Sequence, residues 1–113
     1  FQKKAFSDKL LSVNDYNMFV RVFITKFPNE NKKNIAVTVI GSMKEKFLNE
    51  TKLLELTVLD IGEGKLLNIA KYKNKQDFEE SNKWLQPEFG KLVKELEGVV
   101  ESFPGEVIYS WIR

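Results

Sequence analysis

The sequence contains no cysteine and no histidine. Without cysteine there is no disulfide, no thiolate nucleophile and no sulfur metal site. Without histidine the chain lacks the commonest metal ligand and the commonest general base near neutral pH. A metal would have to rest on oxygen ligands alone, and no loop has that spacing. Arginine is scarce as well: Arg21 and Arg113 are the only two, and the other cations are lysines. Lys and Glu are interspersed, the formal net charge is +2 and no basic stripe stands out, so nucleic acid is not expected as a partner. No apolar run approaches the roughly 20 residues of a membrane span, so no membrane partner is expected either. A phosphate loop, a Rossmann glycine pattern and a nucleophile elbow are all missing, and Gly62-Glu63-Gly64 is too short to stand for one. No cofactor is implied.

What remains is an aromatic-rich chain of 113 residues, 42% hydrophobic, with nine Phe, three Tyr and two Trp. That length suits one domain able to bury about two-thirds of its unfolded surface. The chain begins at Phe1 rather than Met, so something upstream was removed or not included; a cytoplasmic protein is the expectation, with an exported form with a cleaved leader as the alternative. Residues 1–15 place Phe6, Leu10 and Val13 at helical spacing and read as a short helix or an arm, ahead of a domain over 16–113. Tyr16 to Phe27 reads as a strand. Met18, Val20, Val22 and Ile24 share one face; Phe19, Arg21, Phe23, Thr25 and Phe27 share the other. Both faces are apolar enough to be covered, one by helices and the other by something else, such as a second subunit.

Asn29 to Thr51 carries two periods. Ala36, Ile40, Met43 and Phe47 suit a helix; Ile35, Val37 and Val39 alternate like a strand. Its length favours one helix capped by Asn29, with a β-hairpin through Ile35 to Ile40 as the competing reading. Leu53–Ile61 and Lys65–Tyr72 read as strands joined at Gly62-Glu63-Gly64. Gln76 to Glu97 reads as a second helix, capped by Asn74 or Asp77, kinked or divided at Pro87 and ended by Gly98. Val99–Phe103 and Glu106–Ile112 read as a last strand interrupted at Pro104-Gly105. The order β-α-β-β-α-β predicts a ferredoxin-like α+β fold, a four-stranded antiparallel sheet with two helices on one face.

Three features then carry a resemblance. The strand end IAKY runs into the polar turn and acidic-aromatic helix start KNKQDFEE; the helix continues into WLQPEF; and the spacing from Phe27 to Leu54 matches. Over about Met18 to Trp111 the chain resembles the dimeric α/β-barrel superfamily, typified by antibiotic-biosynthesis-monooxygenase-like (ABM-like) proteins. The resemblance implies a homodimer built through the sheet face and a pocket between sheet and helices for a small apolar or aromatic ligand. Members include cofactor-independent oxygenases of aromatic polyketides and haem-degrading enzymes. The haem-binding helix histidine has no counterpart in Phe89–Lys94, and the first-strand asparagine of those enzymes has none in Phe19–Thr25, so haem degradation is not expected. A cofactor-independent monooxygenase fits better, because there the substrate activates oxygen and the protein orients it. A non-catalytic ligand-binding or structural dimer is the alternative, and an interaction module using residues 1–15 is a third.

The candidate ligand-binding residues are Trp84, Tyr72, Arg21, Asn68 and Phe23; no catalytic residue and no metal ligand is assigned. Trp84 stands near the family's helix tryptophan, with plain core packing as its simpler role. Tyr72 and Tyr109 offer hydroxyl donors. Arg21 lies between Phe19 and Phe23, and a buried arginine needs a partner. Glu55 or Asp60, on a neighbouring strand or across the dimer, is the expected partner, with an anionic ligand as the alternative. Asn68 and Glu55 are polar residues on core-like strands. Phe19, Phe23, Phe78, Phe89 and Phe103 could line an apolar cavity.

Overall fold

The computed structural model describes residues 18–113; the expected arm over residues 1–15 lies outside them. Four strands, β1 (Phe19–Lys26), β2 (Glu55–Gly62), β3 (Lys65–Tyr72) and β4 (Val99–Glu106), form one antiparallel sheet in the order β2-β3-β1-β4. Helices α1 (Glu30–Ser42) and α2 (Lys44–Glu50) connect β1 to β2, and α3 (Lys75–Glu95) connects β3 to β4. The fold is therefore the expected ferredoxin-like one. The helical reading of Ile35–Ile40 holds, and the hairpin alternative does not.

The first helical segment is two helices, not one. Asn29 caps α1 by accepting from the Lys32 N–H at 2.8 Å. At Met43 the ladder tightens: its N–H donates to Ile40 O, and Ser42 Oγ donates to Val39 O. A hydroxyl competing for a helix carbonyl beside Gly41 is a local reason for the break. The following α2 is only seven residues long and buries none of them.

Asn74, not Asp77, caps α3, accepting from the Asp77 N–H at 2.8 Å. The helix is not divided at Pro87; α3 runs as one element through it. Pro87 sits on the exposed side, where water can reach the carbonyl its missing N–H leaves unpaired. The helix ends as Glu97 takes a left-handed φ of 58° and the Gly98 N–H reaches back to Val93 O at 2.8 Å. Gly98 is required next to it, because a Cβ there would lie 2.9 Å from the Phe27 ring.

The last strand is also revised. It runs continuously through Pro104-Gly105, paired with β1, and stops at Glu106; residues 107–113 form no strand within the chain. The Val107 N–H donates to Met18 O at 2.9 Å, so every second residue of β4 back from Val107 turns its N–H toward β1. Pro104 falls in the other set. Its nitrogen faces the open edge, where no ladder bond is lost.

Burial alternates along the sheet. Phe19, Arg21, Phe23 and Thr25 of β1 lie opposite Tyr72, Ala70, Asn68 and Leu66 of β3, on the face the helices cover. Phe19, Phe23, Ala70, Tyr72 and Leu85 form the main core; Phe27, Ala36 and Leu66 form a second. Lys33 ties α1 to β2: its buried ammonium meets Asp60 at 2.5 Å and Glu30 at 2.7 Å. Hydrogen bonds to Asp60 and then Glu30 raise the Lys33 pKa, and the same contacts lower those of the two carboxyls. The other face of the sheet carries Val20, Val22, Ile24, Leu59, Ile61, Leu67, Ile69 and Phe103, with Leu59, Ile61 and Phe103 plainly exposed. Nothing among the described residues covers it.

Candidate functional site

The register of β1 and β3 brings the polar candidates together. Arg21, Asn68 and Tyr72 line one small cavity with Phe23, Phe89 and Leu85. Phe23 is paired with Asn68 across the strands, and Arg21 sits two residues along from Phe23 on the same face. The cavity is about 30 Å³, room for roughly one or two water molecules. A larger groove of about 390 Å³ opens between α1, α2 and the start of β2, lined by Val37, Leu48 and Leu54 among others, with Lys44 and Glu55 as its charged residues. Ile40, Phe47, Leu53 and Leu56 border both spaces and form the partition between them.

The polar side chains differ in how firmly they are held. Asn68 is buried, and its Nδ2 donates to Phe23 O at 3.1 Å and more weakly to Leu66 O at 3.4 Å. That orientation leaves the amide oxygen without a hydrogen-bond partner among the described residues. Tyr72 is buried rather than set at a wet sheet edge. Burial pushes its phenol pKa up to about 12, with Arg21 opposing, so at neutral pH it is a donor and not a base.

Within the chain Arg21 does not pair with Glu55 or Asp60. β3 stands between β1 and β2, which puts those acids two strand spacings, about 9.5 Å, away across the sheet. Glu55 meets Lys71 loosely at 3.8 Å, and Asp60 meets Lys33. Arg21 Nε instead donates to Ser102 Oγ at 2.9 Å, one guanidinium nitrogen reaches Asn82 Oδ1 at 3.4 Å, and the group stacks 4.3 Å above the Phe23 ring. All three partners are uncharged. Burial lowers the Arg21 pKa, and the neighbouring Tyr72 opposes the shift. The result is a half-buried cation on the cavity wall with no carboxylate partner among the described residues.

The remaining candidates fall elsewhere. Trp84 lines neither space; it packs on the main core, edge-on to Phe47 with ring centres 6.3 Å apart. Phe19 and Phe78 stack with centres 4.8 Å apart, and Phe23 meets Phe89 edge-on at 5.1 Å. Phe103 lies on the opposite face of the sheet, because it pairs with Val22 and not with an inward residue. Tyr109 lies in the exposed segment after β4. The groove was not foreseen; its walls come from Leu48 and Leu54, which no period in the sequence marks as a site.

No family model matches the sequence, and no curated protein matches it significantly. Solved structures do match in fold. A dimeric ferredoxin-like protein from an uncultured marine organism is 16% identical, with a TM-score of 0.69 over 91% of this chain and 98% of its own. A monooxygenase of Streptomyces coelicolor in complex with nanaomycin D is 14% identical, with a TM-score of 0.71 over 87% and 94%. SnoaB, a cofactor-independent oxygenase from Streptomyces nogalater, is 14% identical, with a TM-score of 0.64 over 83% and 96%. The chain thus shares the ferredoxin-like fold of these solved structures.

Proposed function

We propose that the protein binds a small acidic aromatic molecule, such as a polycyclic phenol, between its sheet and its helices, as a homodimer joined through the open sheet face. One observation carries this reading: Arg21, half buried beside Tyr72 and Asn68, has a full charge and no carboxylate partner among the described residues. A phenolate oxygen would supply the missing anion, Tyr72 would donate to it, and the free Asn68 oxygen would accept from a neighbouring hydroxyl. The apolar body of the ligand would occupy the groove.

Ligand sites of this kind usually measure roughly 300–1,000 Å³, so the inner cavity alone is too small. The partition must therefore open. Phe47 belongs to α2, which has no buried residue and so gives up little packing when it moves. No carboxylate or other base lines the inner cavity among the described residues. Chemistry there falls to a substrate that ionises readily and reacts with oxygen itself. An anthrone-type CH₂ and O₂, for example, give a carbonyl and water, with the protein stabilising the anion and excluding solvent.

The test is titration with nanaomycin D and with a plain hydroxynaphthalene, followed by tryptophan fluorescence and calorimetry, with an oxygen electrode reading consumption in the presence of an anthrone. Saturable binding lost in Arg21→Met supports the reading. Binding of neither probe, or binding indifferent to Arg21, overturns it.

A further inference from the structure

Leu48 and Leu54 line the groove between α1, α2 and β2, yet they are 64% and 60% exposed. Val37, on the same groove, is 43% exposed. Lone exposed leucines are ordinary, but a joined apolar wall around a space of about 390 Å³ is a surface made to be covered. Its charged residues are Lys44 and Glu55, and Glu55 meets only Lys71, at 3.8 Å, among the described residues. Lys44 is exposed, and its long stem lets the ammonium stay in water.

Residues 1–17 lie outside the described residues, but their sequence fits that surface. Phe6, Leu10 and Val13 stand at i, i+4 and i+7, the spacing with which an amphipathic helix anchors in a groove. At 3.6 residues per turn this stripe is about 10 Å long, with Lys3 on one flank, Lys9 on the other and Asp8 on the back. The reach is sufficient as well. Phe19 pairs with Tyr72 and Glu55 with Lys71, so β1 and β2 start at the same end of the sheet. The two starts are two strand spacings apart, about 9.5 Å. The five residue steps from Val13 to Met18 span up to about 16 Å. The link brings Val13 in first at the start of β2, so Lys9, the nearer flanking lysine, falls beside Glu55.

We propose that residues 1–13 lie as an amphipathic helix in the groove of their own chain, with Phe6, Leu10 and Val13 against Leu48, Leu54 and Val37, and Lys9 at Glu55. Tethering makes this an intramolecular event that needs little intrinsic affinity. The arm and the ligand of the proposed function then claim the same walls, so the arm gives way when the ligand enters. That consequence rests on the ligand reading; the docking does not.

The absence of cysteine makes the test direct. Leu10→Cys combined with Leu48→Cys in the full chain should oxidise to a disulfide within one chain, read by denaturing mass spectrometry. Leu10→Cys combined with Glu101→Cys, on the far face of the sheet, should not. Amides of residues 44–50 should exchange at least about tenfold faster in a chain starting at Tyr16, the protection expected from covering two leucines. A disulfide between two chains means that the groove takes a second copy's arm. Absent or equal cross-linking of the two pairs, or unchanged exchange, means that it takes none. Each of these overturns the proposal. If the shortened chain loses its circular dichroism signal, the cysteine pairs alone decide. Nanaomycin D should bind the shortened chain more tightly than the full one. Equal affinity overturns the competition, and binding to neither overturns the ligand reading while the cross-link still judges the arm.

Discussion

The guanidinium of Arg21 lies 4.3 Å above the ring of Phe23, two residues further along the same strand face. The stacking, together with Ser102 and Asn82, holds a charge in place without neutralising it. Replacing Arg21 with Met should keep the packing and lose the charge. Affinity for a phenolate ligand should fall about tenfold or more, as expected for a charged hydrogen bond of roughly 1.5–3 kcal/mol. The melting temperature should hardly move. Calorimetric titration beside a thermal melt separates the two effects, and equal loss of both would make Arg21 a folding residue only.

Tyr72 gives a prediction in alkali. Its phenol titrates near 10 in an unfolded chain and at about 12 in the folded one. Below pH 10 both states hold the proton. Above it the unfolded state releases the proton first, so this contribution to stability is lost as pH rises from about 10 through 12. Urea unfolding of wild type and Tyr72→Phe across that range should show the wild type losing stability faster. Parallel curves would show that the phenol is not desolvated.

Ser81 is a buried hydroxyl on α3 that accepts the Lys52 N–H at 2.8 Å, just after α2. Ser81→Ala leaves that N–H without its partner and should cost about 1–3 kcal/mol. Chemical denaturation measures it. The loosened joint should also speed amide exchange in residues 44–53 more than in α3.

Phe47 borders both the groove and the inner cavity. Phe47→Ala should join them, at a stability cost of about 2 kcal/mol, below the usual range for a fully buried phenylalanine. Ligand association should become faster even as the protein melts earlier. Stopped-flow fluorescence reads the first and a thermal scan the second. Slower association would mean that Phe47 holds the ligand rather than bars it.

Much of the architecture could be read from local pattern. Alternation in β1 and β3 and the caps at Asn29 and Asn74 are short-range signals, and the structure keeps them. What pattern could not supply was strand order. Arg21 was matched to Glu55 and Asp60 because all three lie on strands; the intervening β3 separates them. Pro104 read as an interruption because its effect depends on which way its nitrogen faces, a property of the edge and not of the residue. The tail after Glu106 has strand-forming residues, but a ladder needs a second strand that local sequence cannot provide. Trp84 drew attention as a large aromatic near a pocket, yet on α3 it turns toward Phe47. Arg21, Asn68 and Tyr72 do share one cavity, because all three sit at inward positions of two paired strands.

Pro104 also bears on how copies of this chain can stack. A strand approaching β4 from outside meets a position with no N–H to offer, while β2 presents no such obstacle. Sheet growth that adds one molecule after another needs two receptive sides. With one side blunted, endless cross-β propagation has no second face on which to continue, and a crowded solution of this protein is biased toward small, finite assemblies over fibrils.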